Sequence, residues 1–140
     1  MSPQNSICIH ESFAAQSMMQ TLGAVLETVE SGKVEIRAPI LPGSRQQHGF
    51  AHAGLTFAIG DSAAGYAALS VMPDKHEVLT TEMKINLLAP AKGEYLIARG
   101  RVIKPGRRLI IVQADVFAVE NGSEIHVALL TGTMIPISST

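Results

Sequence analysis

Between Gln46 and Ala68 the chain reads QQHGFAHAGLTFAIGDSAAGYAA, a polar, glycine-punctuated loop that runs into an Ala/Gly-rich apolar stretch. A single charge, Asp61, lies in the middle of that stretch. A carboxylate in low-dielectric surroundings is costly unless it is paired or used, because burial disfavours the charged form. The same burial raises its pKa, which is what a general base or a nucleophile requires. Asp61 is therefore the first candidate for chemistry. Upstream of it, Ala53 and Gly54 begin a predicted helix, where open N–H groups and the positive end of the dipole suit a developing oxyanion. His48 and His52 are four residues apart, which raises the question of zinc. The H-E-x-x-H pattern needs a helix and a Glu after the first His, and Gly49 stands there in a loop. No metal site is expected.

These residues need elements to hold them. Residues 11–22 predict a short amphipathic helix, with Phe13, Met18, Met19 and Leu22 available to pack. From Gly23 the period switches to two, with Val25, Glu27 and Val29 on one face and Leu26 on the other. After the Ser31-Gly32 turn, Val34, Ile36, Ala38 and Ile40 alternate with Lys33, Glu35, Arg37 and Pro39, completing a β-hairpin with one buried face. Pro42-Gly43-Ser44 ends the strand. The central helix runs from near Ala53 to the break at Pro73-Asp74, about 19 residues or roughly 28 Å. Strands are expected at 77–89, 93–104, 107–120 and 123–137, separated by short Pro- or Gly-containing turns. Four long strands so joined predict an antiparallel meander. The fold class is α+β: a long six-stranded antiparallel sheet wrapped around one central helix, with a short N-terminal helix.

Composition narrows the partners. At 140 residues the chain is expected to be one domain, 1–140, with a real core. The net charge of −1 and the absence of a long Lys/Arg run argue against nucleic acid, which needs a concentrated basic footprint. Cys8 is alone, so no disulfide within the chain is expected and a reducing, cytoplasmic setting follows. The N-terminus lacks the basic start and apolar segment of a signal peptide. Residues 53–72 reach bilayer-spanning length, yet they are mostly Ala, Gly and Ser and lack basic flanks. Asp61 near their middle would cost roughly 2.5–3.5 kcal/mol on insertion scales. A helix wrapped by protein is the better reading, and no membrane partner is expected.

The loop and helix together resemble the hotdog-fold acyl-CoA thioesterases, in particular the PaaI-like (phenylacetic acid degradation-related) branch of the 4-hydroxybenzoyl-CoA thioesterase superfamily. The family pattern is an amide residue, then Gly, then His-Gly-Gly, then Asp or Glu nine residues after the His. Here these are Gln46, Gly49, His52-Ala53-Gly54 and Asp61. Thr80-Thr81-Glu82-Met83-Lys84-Ile85-Asn86, the Pro90-Ala91-x-Gly93 turn, Gly106-Arg107 and Gly132-Thr133 extend the likeness over nearly the whole chain. Two positions depart from it. Ala53 replaces the first Gly of His-Gly-Gly but keeps the N–H that the family uses to polarise the thioester carbonyl. Gln46 replaces the Asn common in PaaI-like members; Gln is usual in aryl-CoA relatives, which tend to carry Glu at the helix position.

The resemblance implies an acyl-CoA thioesterase that forms a dimer or a dimer of dimers, with the strand near 79–87 pairing with its symmetry mate. Coenzyme A belongs to the substrate, and no cofactor is implied. Asp61 would serve as base or nucleophile. Ala53 and Gly54 would supply the oxyanion N–H groups, and Gly49 belongs to the substrate-binding loop. Gln46 would orient the thioester or the water, the alternative being a solvated loop amide. His52 would hold the loop or contact the substrate, the alternative being a histidine bonded to backbone. Thr80 resembles the hydroxyl residue that holds the water, with Thr81 beside it as the competing register. Lys104, Arg107 and Arg108, at a predicted hairpin end, would meet the CoA phosphates. Two other functions remain open on this fold. A hydratase or dehydratase would place a Pro near the helix start, and none stands between Gly43 and Pro73. A non-catalytic acyl-CoA-binding module would normally carry an added partner domain.

Overall fold

Ser2 and Pro3 start the first helix in the computed structural model, which describes residues 1–138. Ser2 Oγ accepts from the Asn5 N–H at 3.0 Å, and Pro3 sits in the first turn, where a missing N–H costs nothing. Helix α1 therefore spans Pro3–Ala15 and a short helix α2 spans Ser17–Thr21. The expected single helix over 11–22 is corrected twice. Its start lies upstream, at the Ser-Pro cap, and Gln16, extended at φ −75° and ψ 99°, breaks the run.

The chain continues through β1 (Val25–Glu30), β2 (Lys33–Pro39), a 3₁₀ turn at Pro42–Ser44, helix α3 (Ala53–Ser70), and strands β3 (His76–Leu87), β4 (Tyr95–Pro105), β5 (Ile110–Glu120) and β6 (Ser123–Ser138). Alternation in β2 is as expected, with Val34, Ile36 and Ala38 buried. In β1 it is not. A bulge between Leu26 and Thr28 shifts the register, so Leu26 and Val29 both pack on the core while Val25 and Glu27 are exposed. One inserted residue inverts the facing of those that follow, and a strict period of two does not anticipate it.

All pairings are antiparallel, in the order β1-β2-β4-β5-β6-β3. Strands β4, β5 and β6 form the expected meander, but β3 does not fold back on β4. It pairs instead with β6, from His76 opposite Ser138 to Leu87 opposite Ala128. The Pro90–Gly93 segment is thus a crossover, tied down where the Ala51 N–H donates to Ala91 O at 2.8 Å. Strands β1 and β3 are left as the two edges of the sheet.

Helix α3 lies in the curl of the sheet and touches every strand. Ile59, Ala63, Ala64, Ala67 and Ala68 are fully buried, and their small volumes let the helix sit close. At Gly100 on β4 a Cβ would lie 2.4 Å from the Ala63 carbonyl carbon, so the helix backbone rests directly on a glycine. No helix among the described residues is long and apolar enough to cross a membrane.

The far end of α3 is capped from outside. Asn5, only 3% exposed, donates through Nδ2 to Leu69 O at 3.2 Å and to Met72 O at 2.6 Å. These carbonyls lie where a helix runs out of internal donors. Asn5→Ala is expected to cost about 1–3 kcal/mol, because it leaves Met72 O without a donor, whereas Leu69 O keeps the Met72 N–H at 3.1 Å. Thermal unfolding should register a drop in Tm of roughly 3–10 °C. A variant melting with the wild type would mean that α1 contributes nothing through this cap.

Candidate active site

The 44–52 loop is folded on itself before it reaches α3. The Gln46 N–H donates to Phe50 O at 2.9 Å, the Gly49 N–H to Gln46 O at 3.0 Å, and the His52 N–H to Ser44 O at 2.9 Å. Gly49 turns the loop at φ +87°, a conformation that a side chain would strain. The Gln46 side chain is spent in part on this loop. Its Oε1 accepts from the N–H groups of His48 and Phe50, which orients the amide and leaves the NH₂ as the outward donor.

His52 is the N-cap of α3. Its extended backbone (φ −64°, ψ 143°) turns into the helix, and its Nδ1 accepts from the Gly54 N–H at 2.8 Å. The imidazole is thereby held with its proton on Nε2. Gly54 was expected to present an open N–H; it does not, because His52 takes it. The Leu55 N–H is likewise taken, by His52 O at 3.0 Å. Ala53 is exposed, and its N–H has no acceptor among the described residues, so it is the open donor at the positive end of the helix.

Asp61 lies two turns further on, half-buried rather than enclosed. Its Oδ1 accepts from Thr80 Oγ1 at 2.8 Å, and its other oxygen has no partner among the described residues. Burial pushes the carboxyl above its ordinary range, and the Thr80 hydrogen bond offsets part of that rise. Thr80 also contacts Met134 Sδ at 3.2 Å, whereas Thr81 donates to Thr133 O at 3.0 Å. Of the two threonines, Thr80 is thus the one that reaches Asp61. A register shift between Thr80 and Glu82 turns Thr81 out and leaves Thr80 facing the helix.

Two clefts flank this face of α3. One, of about 230 Å³, is lined by Asp61 and Thr80 together with Ser12, Gln16, Ser62 and Tyr66. The other, of about 510 Å³, contains Gln46 and Ala53 beside Phe50, Leu87 and Leu88. Within one chain Asp61 and Gln46 do not meet. Eight residues of helix separate Ala53 from Asp61, about 12 Å along the axis. Lys104, Arg107 and Arg108 stand exposed on the β4–β5 hairpin, and Arg107 borders a third cavity with Val71, Met72, Pro73 and His76 beyond the far end of α3. Ser12, Gln16 and Tyr66 were not anticipated as neighbours of Asp61. Ser12 and Gln16 come from the end of α1 and Tyr66 from α3, 50 or more residues later, a separation that no local spacing encodes.

Residues 48–125 match the family model of the thioesterase superfamily, and the chain belongs to that family. A thioesterase family protein from Silicibacter pomeroyi is 42% identical and superposes with a TM-score of 0.93, covering 96% of this chain and 98% of that one. The Escherichia coli PaaI protein from the phenylacetic acid degradation operon superposes with a TM-score of 0.85 at 20% identity, over 98% of this chain and 96% of that one, a likeness of fold alone. A Saccharolobus solfataricus protein provisionally named an esterase is 28% identical over 132 residues, 94% of this chain and 85% of its own length. The fold is thus the hotdog fold of the thioesterases.

Proposed function

We propose that this protein hydrolyses acyl-CoA thioesters, as a PaaI-like thioesterase working in a dimer or a dimer of dimers in the cytoplasm. The observation that carries the reading is Asp61: a half-buried carboxylate with raised pKa, one oxygen held by Thr80 and the other open to a cleft. A carboxylate so placed acts in one of two ways. As base it takes a proton from water while the water oxygen attacks the thioester carbon; the C–S bond then breaks and the thiolate leaves with that proton. As nucleophile its oxygen attacks the carbon, expels the thiolate and forms an anhydride that water hydrolyses. In both routes negative charge gathers on the carbonyl oxygen, and an open helix N-terminal N–H such as that of Ala53 suits it.

Because Ala53 and Asp61 stand apart within one chain, the reaction centre needs a second copy. Phe57, 36% exposed, lies four residues from each of them on the same face of α3. An antiparallel pairing of two helices about Phe57 sets Ala53 of one chain opposite Asp61 of the other. Edge strand β3 supports the same pairing, since its outer hydrogen-bonding side has no neighbour in the sheet and Leu79 is 50% exposed on it. The direct test is incubation with aryl-, short- and medium-chain acyl-CoAs, with detection of the freed thiol. Thiol release from at least one class is expected; release from none by micromolar enzyme would overturn the reading.

The hairpin cations give a separate prediction. The nucleotide end of coenzyme A is highly anionic, and Arg107 is exposed enough to reach it without touching the reacting carbon. Arg107→Ala should raise KM about three- to tenfold on an intact acyl-CoA and leave kcat nearly unchanged, the pattern of lost uniform binding. The effect should shrink with salt, which screens exposed charges over about 8–10 Å. On a truncated acyl-pantetheine the variant should match the wild type. Equal losses on both substrates would place the phosphates elsewhere.

A further inference from the structure

Helix α3 contains Gly54, Gly60 and Gly65, although only proline suits a helix interior less well than glycine. Packing accounts for two of them. A Cβ at Gly54 would press on His52 Nδ1 at 3.0 Å, and one at Gly60 would lie 2.8 Å from Leu130 Cδ2. Gly65 has no such reason. The nearest atoms to a Cβ there are Met134 Cε at 3.8 Å and Val78 Cγ1 at 3.9 Å, which are ordinary van der Waals contacts. Alanine would fit at this position and would favour the helix.

What Gly65 does border is the cleft that holds Asp61. It follows Asp61 by four residues, so the two share a face of α3 about 6 Å apart along the axis. Strand β3 forms the opposite wall. Thr80 bonds Asp61, and Val78, two residues earlier, stands against the place of the missing Cβ. The next residue on the helix ends the cleft. The Tyr66 hydroxyl, on a residue only 4% exposed, accepts from Gln16 Nε2 at 2.6 Å and shares a hydrogen bond with Ser12 Oγ at 2.9 Å. A side chain at 65 would therefore take up space between the carboxylate and this end wall.

The size of that space says which half of the substrate enters it. The cleft at Asp61 measures about 230 Å³ and the one at Ala53 about 510 Å³. A thioester of coenzyme A laid across a shared centre has a short acyl half and a long thiol half, and the smaller cleft suits the short one. An extended acyl chain that starts beside Asp61 advances about 1.25 Å per bond, so it draws level with Gly65 after about five bonds and with Tyr66 after about six. With a contact distance of about 4 Å, a Cβ at 65 would touch the chain from about its third carbon onward. An acetyl group stops short of it.

We propose that Gly65 is a specificity-determining residue, whose missing side chain makes room for the acyl group from about its third carbon to the Tyr66 wall. The preferred substrates are then acyl-CoA thioesters with chains of about four to six carbons, as opposed to acetyl or long fatty chains. This rests on the thioesterase reading above.

The test is Gly65→Ala, measured on acetyl-, hexanoyl- and dodecanoyl-CoA. The ratio of kcat/KM for hexanoyl-CoA to that for acetyl-CoA should fall about tenfold or more in the variant, the scale of one methylene too many in a fitted pocket. Tm should hold or rise by about 1–5 °C, because the helix gains an alanine. The wild type should favour hexanoyl- over dodecanoyl-CoA by about tenfold. A ratio unchanged within about twofold overturns the proposal. So does a lower Tm, which would make Gly65 a packing residue, and so does a wild type that cleaves dodecanoyl-CoA as well as hexanoyl-CoA. Calorimetry with the S-ethyl and S-hexyl thioethers of coenzyme A, which cannot be hydrolysed, reads the same space without turnover. Selective loss of S-hexyl affinity in the variant supports the room at Gly65 even if no thioester is cleaved, an outcome that would sink hydrolysis alone. Equal affinities for the S-hexyl thioether in both proteins overturn it.

Discussion

Asp61→Asn is expected to lower kcat by about 10²–10⁴, the usual loss when a positioned acid–base group is removed. The amide is nearly isosteric and still accepts the Thr80 hydrogen bond through its oxygen, so the helix face and the cleft should survive. It can neither take a proton nor attack carbon. Substrate binding should persist, measured by calorimetry on the inactive variant. Burial raises the Asp61 pKa, so the ionised form, and with it kcat/KM, is lost as pH falls through that raised value. The acid limb of the pH profile should therefore lie above the ordinary carboxylate range and vanish in the variant. Stability moves the opposite way. A carboxyl with a higher pKa folded than unfolded binds more protons in the folded state, so its ionisation costs stability as pH rises between the two values. Asp61→Asn should then melt at or above the wild-type temperature at neutral pH and show no gain at low pH. Full turnover in a well-folded variant would leave Asp61 as a structural residue.

Ala53→Pro should reduce kcat by about 10²–10³, the loss typical of one oxyanion donor. The substitution is unusually clean. Position 53 is the first residue of α3, where proline is favoured, and His52 already has the extended backbone that a following proline demands. Only the open N–H is deleted. If the centre is shared between chains, Ala53→Pro and Asp61→Asn damage opposite halves of it. Unfolding the two inactive variants together and refolding them at equal amounts should restore activity. Random pairing gives half mixed dimers, each with one intact centre of two, so about a quarter of wild-type activity should return. Sedimentation at micromolar concentration should show at least a dimer. Dimers without recovery would confine the chemistry to one chain, and a monomer would remove the basis of the shared centre.

The central part of the molecule was legible in the residues. An Ala/Gly-rich helix with one carboxylate, a glycine-punctuated loop before it and long alternating strands after it left few packings that bury the apolar faces. Helix α3 begins at Ala53, where the sequence predicted its start, and it ends at Ser70, short of the Pro73 break. Other features resisted for definite reasons. The bulge in β1 moved Leu26 and Val29 to one side, and periodicity counts residues without seeing an insertion in the partner register. The pairing of β3 with β6 depends on which edge the sheet leaves open, which turn residues at Pro90–Gly93 do not encode. The capture of the Gly54 N–H by His52 is a matter of one side-chain rotamer.

What the sequence determined by itself was local and periodic: the buried helix, the strands, the position of Asp61, and the motif from Gln46 to Asp61 that ties the chain to the thioesterase superfamily. Those depend on neighbours within a few residues or on a spacing preserved along the chain. What only the tertiary structure decided was which distant groups share a space. Thr80 rather than Thr81 reaches Asp61, Ala53 rather than Gly54 keeps an open N–H, and Gln46 lies in a different cleft from Asp61. Ser12, Gln16 and Tyr66 converge from segments about 50 residues apart. The physical reason is that hydrogen bonds reach only about 3 Å. Which atoms come within that reach is set by how the sheet curls and where each helix breaks.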